Sequence, residues 1–314
     1  MFFIQSNAQS LKVGEWRDHL SYKSAYDVCR VGHKIYTSTD RALFVYNTED
    51  NSVERINTLN GLSDTGVSCI ESDANTIIIA YENGNIDLIQ GTNTLNLPDI
   101  KRASLIGSKR INHIDVVNEL AYLSCGFGIV VLDLEKQEIK DSYFIGEDGG
   151  HMNILSTKQV HNSIYAATES GIYSANLDQS NLANFEVWKK LNFHTQSRVD
   201  LLESFNDLLF ANFKGADYNT DTLYRFDGNN WEVFDQGNSN VSLKVLGQHL
   251  TIARRFGVVV YDQKLNQTHH LSSSVFNEEK IDFRAGLFTE DGEYWIADRH
   301  NGLLHHRHGF SESI

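Results

Sequence analysis

The chain has 314 residues, with 22 glycines beside a single proline, a length that suits two ordinary domains or one large ring or barrel. Lysine and arginine number 27 against 41 aspartates and glutamates, a net charge of −14, which opposes general attraction to nucleic acid or to an anionic membrane surface. At 41% hydrophobic, 11% aromatic and 22% charged residues the composition excludes a disordered chain, and no apolar run reaches the roughly 18 residues of a membrane span.

In chain order, Met1-Phe2-Phe3-Ile4 is a short apolar stretch followed by Ser6 and Ala8 at the spacing of a signal-peptidase site. Residues 1–8 are therefore read as the remnant of an export signal, and residues 9–314 as one repeat domain. Gln9 rather than cysteine follows the cut, which argues against a lipoprotein. Gly14-Glu15-Trp16-Arg17-Asp18-His19-Leu20 has the aromatic and polar alternation of an outer strand.

From there one pattern recurs: an apolar strand, a short turn ending in glycine or another small residue, and a second apolar strand. It begins with Ile35-Tyr36-Thr37-Ser38 and Ala42-Leu43-Phe44-Val45-Tyr46, and ends with Tyr294-Trp295-Ile296-Ala297 and Gly302-Leu303-Leu304. The residue opening each second strand falls at 42, 84, 128, 171, 222, 257 and 302, a mean period of about 43, the length of a four-stranded propeller blade. The spacings of 51 and 35 cancel around a hairpin lengthened by Lys214 to Asp221. Helical periodicity is almost absent. The expected fold is all-β: a single seven-bladed β-propeller of four-stranded blades.

Inner strands are expected at Ile111–Val116 and Val241–Leu246, and outer strands at 185–188 and 230–234. The residues after Gly302 offer no convincing outer strand, so Gly14 to Leu20 is expected to complete the seventh blade and close the ring.

Residues that resemble chemistry read mostly as architecture. Cys29, Cys69 and Cys125 lack the spacing of a zinc knuckle and are read as buried small hydrophobes. The Ser63-Asp64 pair within Asn60 to Gly66 has no nucleophile-elbow context and is read as a turn between blades. Gly126-Phe127-Gly128 is read as a hairpin turn. The acidic loops Gly146 to His151 and Lys214 to Asp221 do not fit an EF-hand register. His300, His305, His306 and His308, with the pair His269-His270, are read as exposed strand histidines, because neighbours in a strand point to opposite faces. Adjacent Arg254 and Arg255 fall in a hairpin turn. No catalytic, cofactor-binding or metal-binding residue is assigned, and ligand-binding residues stay unassigned.

Two stretches resemble the blade motifs of the two-component regulator propeller family: Thr58 to Ile70, and Glu290 to Ala297 followed by Asn301-Gly302-Leu303. The opening Gly14 to Tyr22, then Ala42 to Tyr46 and Gly61-Leu62-Ser63-Asp64, resembles the first propeller of the PorZ family of the type IX secretion system of Bacteroidetes. That resemblance implies a non-enzymatic scaffold, exported to the outer-membrane surface, working with the PorU sortase, PorV and PorQ to attach cargo to anionic lipopolysaccharide. PorZ proteins carry a second propeller and a β-sandwich domain besides, and the −14 charge suggests that any lipopolysaccharide engagement belongs to those domains. The alternatives are the periplasmic ligand-sensing propeller of a hybrid two-component regulator, and a carbohydrate-active propeller enzyme using paired carboxylates at its centre.

Overall fold

The computed structural model describes residues 22–314, apart from 74, 106, 179–180 and 194–196. The expected export remnant and the expected strand from Gly14 to Leu20 lie outside the described residues. The rest forms seven sheets of four consecutive antiparallel strands each, a seven-bladed β-propeller. Blades 1 to 7 span residues 25–56, 67–97, 111–143, 154–190, 199–238, 240–272 and 283–313.

The inner strands start at 25, 67, 111, 154, 199, 240 and 283, in steps of 41 to 45 residues, so the irregular hairpin spacings vanish at the channel. The long blade 5 hairpin, between Leu208–Phe213 and Asp221–Phe226, is offset by the shortest link: Ser239 alone separates Trp231–Asn238 from Asn240–Leu246.

Each inner strand carries a β-bulge at its second residue, where the register against the next strand slips by one. A bulge bends and twists its strand, and seven copies at one depth form a rim around one mouth of the channel. Strand alternation puts the blade links and the central hairpins at this mouth, the entry face. The two remaining turns of each blade lie at the other, the exit face. Hairpin and link are stitched together by backbone bonds such as Gly126 N–H to Arg110 O, Lys214 N–H to Arg198 O and Arg255 N–H to Ser239 O.

The core is divided among the blade interfaces. Seven apolar clusters each join two neighbouring blades, from blades 1 and 2 (Leu43, Ile70, Ile79) round to blades 7 and 1 (Ile35, Phe44, Trp295, Leu303). No blade buries both of its faces alone, so each depends on its two neighbours for its core.

Two strand expectations are corrected. In blade 4 residues 185–187 form a 3-10 turn, and the outer strand is Lys189–Lys190. The Asn184 side chain accepts the Glu186 N–H and the Trp188 indole donates to Leu182 O, so local hydrogen bonds and burial of Trp188 replace sheet pairing. In blade 7 the fourth strand is Phe310–Ser313, supplied by the C-terminal residues themselves. His308 (φ +47°) and Gly309 (φ +81°) make the two-residue turn whose twist suits a hairpin, a stronger signal than the short strand after it.

The first and last blades meet beside the chain's end, where Tyr22 and Ile314 pack onto the cluster of the 7–1 seam. Gly302 sits there at φ +80°, and a Cβ on it would lie 3.0 Å from the Tyr22 carbonyl oxygen. Gly302→Ala is expected to destabilise the ring by about 1–2 kcal/mol through the left-handed backbone alone, read as a lowered midpoint in chemical denaturation; an unchanged midpoint would show that the segment yields freely.

The channel waist and the entry face

The fifth residues of the inner strands are Cys29, Glu71, Asp115, Lys158, Glu203, Lys244 and Leu287. Because alternate strand residues share a face, five charged side chains from blades 2 to 6 meet at the waist of the channel, joined by Asp27 from blade 1. Lys158 Nζ lies 2.9 Å from both Asp115 and Glu203, tying blades 3, 4 and 5. Lys244 Nζ lies 3.0 Å from Asp27 and 3.6 Å from Glu71, reaching from blade 6 past blade 7 to blades 1 and 2. The carboxylates also accept backbone N–H groups of the following blade: Asp27 from Ile70 at 3.1 Å and Asp115 from Gln159 at 3.2 Å.

The electrostatics follow from burial and pairing. Burial pulls the Lys158 ammonium down, but Glu203 and Asp115 together hold it above the ordinary lysine value, and Asp27 and Glu71 do the same for Lys244. Burial pushes the Glu203 carboxyl up against the pull of Lys158. Burial, with Lys158 and Lys244 adding to it, pushes His113 well below the usual imidazole range, so that ring is neutral.

These side chains separate two chambers, about 170 Å³ toward the entry face and about 280 Å³ toward the exit face, which meet at Glu71, Ile114, Glu203 and Lys244. Paired carboxylates at a propeller centre are thus present, but each is engaged by a lysine. The arrangement ties blades together, with Asp115 and Glu203 on Lys158 and Asp27 and Glu71 on Lys244.

The other sequence candidates fall as follows. Cys29, Cys69 and Cys125 are buried free thiols; burial pushes all three up, Cys69 to about 12. The Ser63-Asp64 turn links blades 1 and 2: Ser63 N–H donates to the buried Asp87 at 2.8 Å, and Asp64 accepts from Asn83 and Lys101. Gly126 and Phe127 form a hairpin turn with Phe127 buried. In the long hairpin Asp221 is buried and saturated by Lys214, the Gly215 N–H and the Asn240 N–H, while Glu147 and Asp148 are exposed. Among the described residues no three His, Cys, Asp or Glu side chains gather to hold a metal.

The histidines split. His269, His270, His300 and His308 are exposed. His305 corrects the expectation: it is buried, stacked on Trp295 at 3.9 Å, with Glu312 at 3.0 Å from Nδ1 and Glu293 at 3.5 Å from Nε2. Its strand faces the seam between the last and first blades, an interface that single-strand alternation does not reveal. His306 is half-buried against Ser311.

The two faces differ in charge and in apolar exposure. Among the described residues, exit turns carry carboxylates in nearly every blade, such as Glu49, Glu119, Asp178, Asp207, Asp262 and Glu290, with Lys136 and Lys264 as the lysines there. The entry face holds the longer links and exposes Tyr26, Leu59, Tyr218 and Phe256. Arg254 is taken up by Asp235, whereas Arg255 lies beside Asp282.

No curated protein matches this sequence. Among solved structures, PorZ, a bacterial surface component of the type IX secretion system of Porphyromonas gingivalis, superposes with a TM-score of 0.75 at 20% identity, over 94% of this chain and 38% of that one. The extracellular domain assigned to a hybrid two-component system of B. thetaiotaomicron gives 0.67 at 14% identity, over 90% and 40%. The WD40 β-propeller domain of Doa1 gives 0.65 at 11%, over 90% and 92%. At these identities the likenesses show the fold, and the chain spans well under half the length of the first two. Residues 35–189, just under half of the chain, match the family model described as the type IX secretion system PorZ N-terminal β-propeller domain, the family that Ala42 to Tyr46 and Gly61 to Asp64 resemble.

Proposed function

We propose that the propeller is a non-enzymatic docking scaffold of the type IX secretion attachment machinery at the outer-membrane surface, offering its entry face to protein partners of the PorU, PorV and PorQ type. The observation that carries this reading is the family match over residues 35–189. It is supported by a channel waist filled with mutually satisfied ion pairs, which leaves the mouth loops as the surface for recognition. The acidic exit turns favour partners at the opposite face and oppose a polyanionic glycan.

Removal of residues 22–314 from the gene in the bacterium that makes this protein is expected to leave secreted cargo unattached to the cell surface. Surface attachment at the wild-type level would overturn the scaffold reading. The sensor reading shares only the fold of the two-component extracellular domains; it would take over if the same deletion left attachment intact and abolished a ligand-dependent transcriptional response.

A further inference from the structure

Three arginines from two blades converge on one buried carboxylate at the entry face. Arg255 comes from the blade 6 hairpin, Arg284 from the bulge of the blade 7 inner strand and Arg299 from the blade 7 hairpin. Arg255 Nε lies 2.8 Å and Arg284 Nη2 2.6 Å from the Asp282 oxygens, while Arg299 Nη1 stands 3.9 Å away. Asp282 stays ionised: burial raises its carboxyl, but the Arg255 hydrogen bond, Arg284 and Arg299 together hold it below the usual range. A guanidinium has five N–H donors, so one arginine would satisfy this carboxylate and three leave donors over. Arg284 Nε is buried with no partner, and the Arg255 and Arg299 side chains are 41% and 50% exposed.

Beside this cluster runs a groove of about 450 Å³ lined by Arg255, Phe256, Ser273, Phe276, Lys280 and His300. Its other acidic neighbours, Glu278 and Glu279, are exposed and so screened by solvent. The fully buried Asp298 accepts the Asp282 N–H at 2.6 Å, so Asp282, Asp298, Glu278 and Glu279 balance Arg255, Arg284, Arg299 and Lys280, a locally neutral spot on a chain of net charge −14. Tyr218, 52% exposed, and Phe256, 49% exposed, stand in ring contact at 6.4 Å, with the Arg255 guanidinium 5.9 Å over Tyr218. Exposed aromatics next to arginine are the composition of protein-interface hot spots.

We infer that this blade 5 to 7 patch docks an acidic peptide segment of a partner protein, one that pairs a carboxylate on the surplus guanidinium donors with an apolar side chain against Tyr218 and Phe256. The inference deepens the scaffold reading and rests on it for the partner being a protein.

The test is to pan a displayed random-peptide library on the full chain and titrate the selected peptides. Selected sequences are expected to place Asp or Glu beside an aromatic or aliphatic residue. Arg299→Glu and Tyr218→Ala should each weaken them about tenfold or more, with further weakening in high salt. Arg255→Glu disturbs the Asp282 link itself, so the other two variants carry the test. Selected peptides without acidic residues, or undiminished binding to Arg299→Glu, would overturn the inference, as would a uronic-acid polysaccharide that binds at these arginines and is not displaced by acidic peptides. If peptide binding fails while deletion of the propeller still releases cargo, this patch falls and the scaffold stands. If deletion is silent while the peptides bind, the scaffold reading falls instead.

Discussion

Lys158→Met is expected to lower the unfolding free energy by about 3–5 kcal/mol, because it strands two carboxylates in the channel waist without their cation. Asp115 and Glu203 have 3% and 8% of their side chains exposed, and each is 2.9 Å from the ammonium, so solvent replaces little of the lost charge. The companion change is the triple variant Lys158→Met, Asp115→Asn, Glu203→Gln, which removes all three charges together. It is expected to recover most of the loss, since a buried ion pair is worth little against neutral side chains of similar size. Acid gives a second check. The Glu203 carboxyl titrates above its unfolded value even with Lys158 present, and without Lys158 it rises further. A group whose folded pKa is raised binds more protons folded than unfolded, so its penalty is full above the folded pKa and relieved as pH falls through it. The deficit of Lys158→Met against the unaltered protein should therefore shrink between neutral pH and about pH 5, measured by guanidinium unfolding at both. A deficit under about 1 kcal/mol, or one that does not change with pH, would mean that the waist is open to water and the clamp is not what ties blades 3, 4 and 5.

This clamp was written in the sequence in a form that only the repeat makes readable. Once the seven inner strands are aligned on their first residues, Glu71, Asp115, Lys158, Glu203 and Lys244 fall in one column, and a column of mixed charge on the channel-facing side announces ion pairing. Nothing within a single blade does so, since no blade contributes more than one charge to the column, and the partners lie 43 and 45 residues from Lys158 and 173 and 217 from Lys244. The hairpins were legible because each carries its own signal, two β-branched or aromatic runs around a small turn residue. The outer strands were legible only where they are long, as at Trp231–Asn238; Lys189–Lys190 and Phe310–Ser313 are too short to show a period. His305 was misplaced for a related reason: strand alternation says which face a residue takes, but not that this face abuts another blade. The entry-face arginines needed the fold as well, since Asp282 gathers Arg255 from 27 residues upstream and Arg299 from 17 downstream.

Trp295→Ala tests the joint on which the ring depends. Trp295 is 1% exposed, stacks on His305 at 3.9 Å and meets Tyr46 of blade 1 at 5.2 Å. Truncating so large a buried side chain costs about 3–5 kcal/mol. Its position decides what that loss does. Six of the seven blade interfaces are crossed by a chain link, whereas among the described residues the interface of blades 7 and 1 is made by side-chain packing between strands of opposite chain ends. Above it Lys244 reaches across from blade 6 to Asp27 and Glu71, so packing and ion pairing share the closure. Phe210→Ala, at the interface of blades 5 and 6, removes a fully buried ring of comparable cost where Ser239 keeps the blades joined. Native-state hydrogen exchange separates the two. Trp295→Ala is expected to speed exchange in blades 1 and 7 together while blades 3 to 5 keep their protection, and Phe210→Ala to leave blades 1 and 7 unchanged. Trp295→Phe, which retains a ring against Tyr46, should restore most of the protection. Uniform loss across all blades in both variants would show that the ring opens as a whole, with no weak joint at the seam.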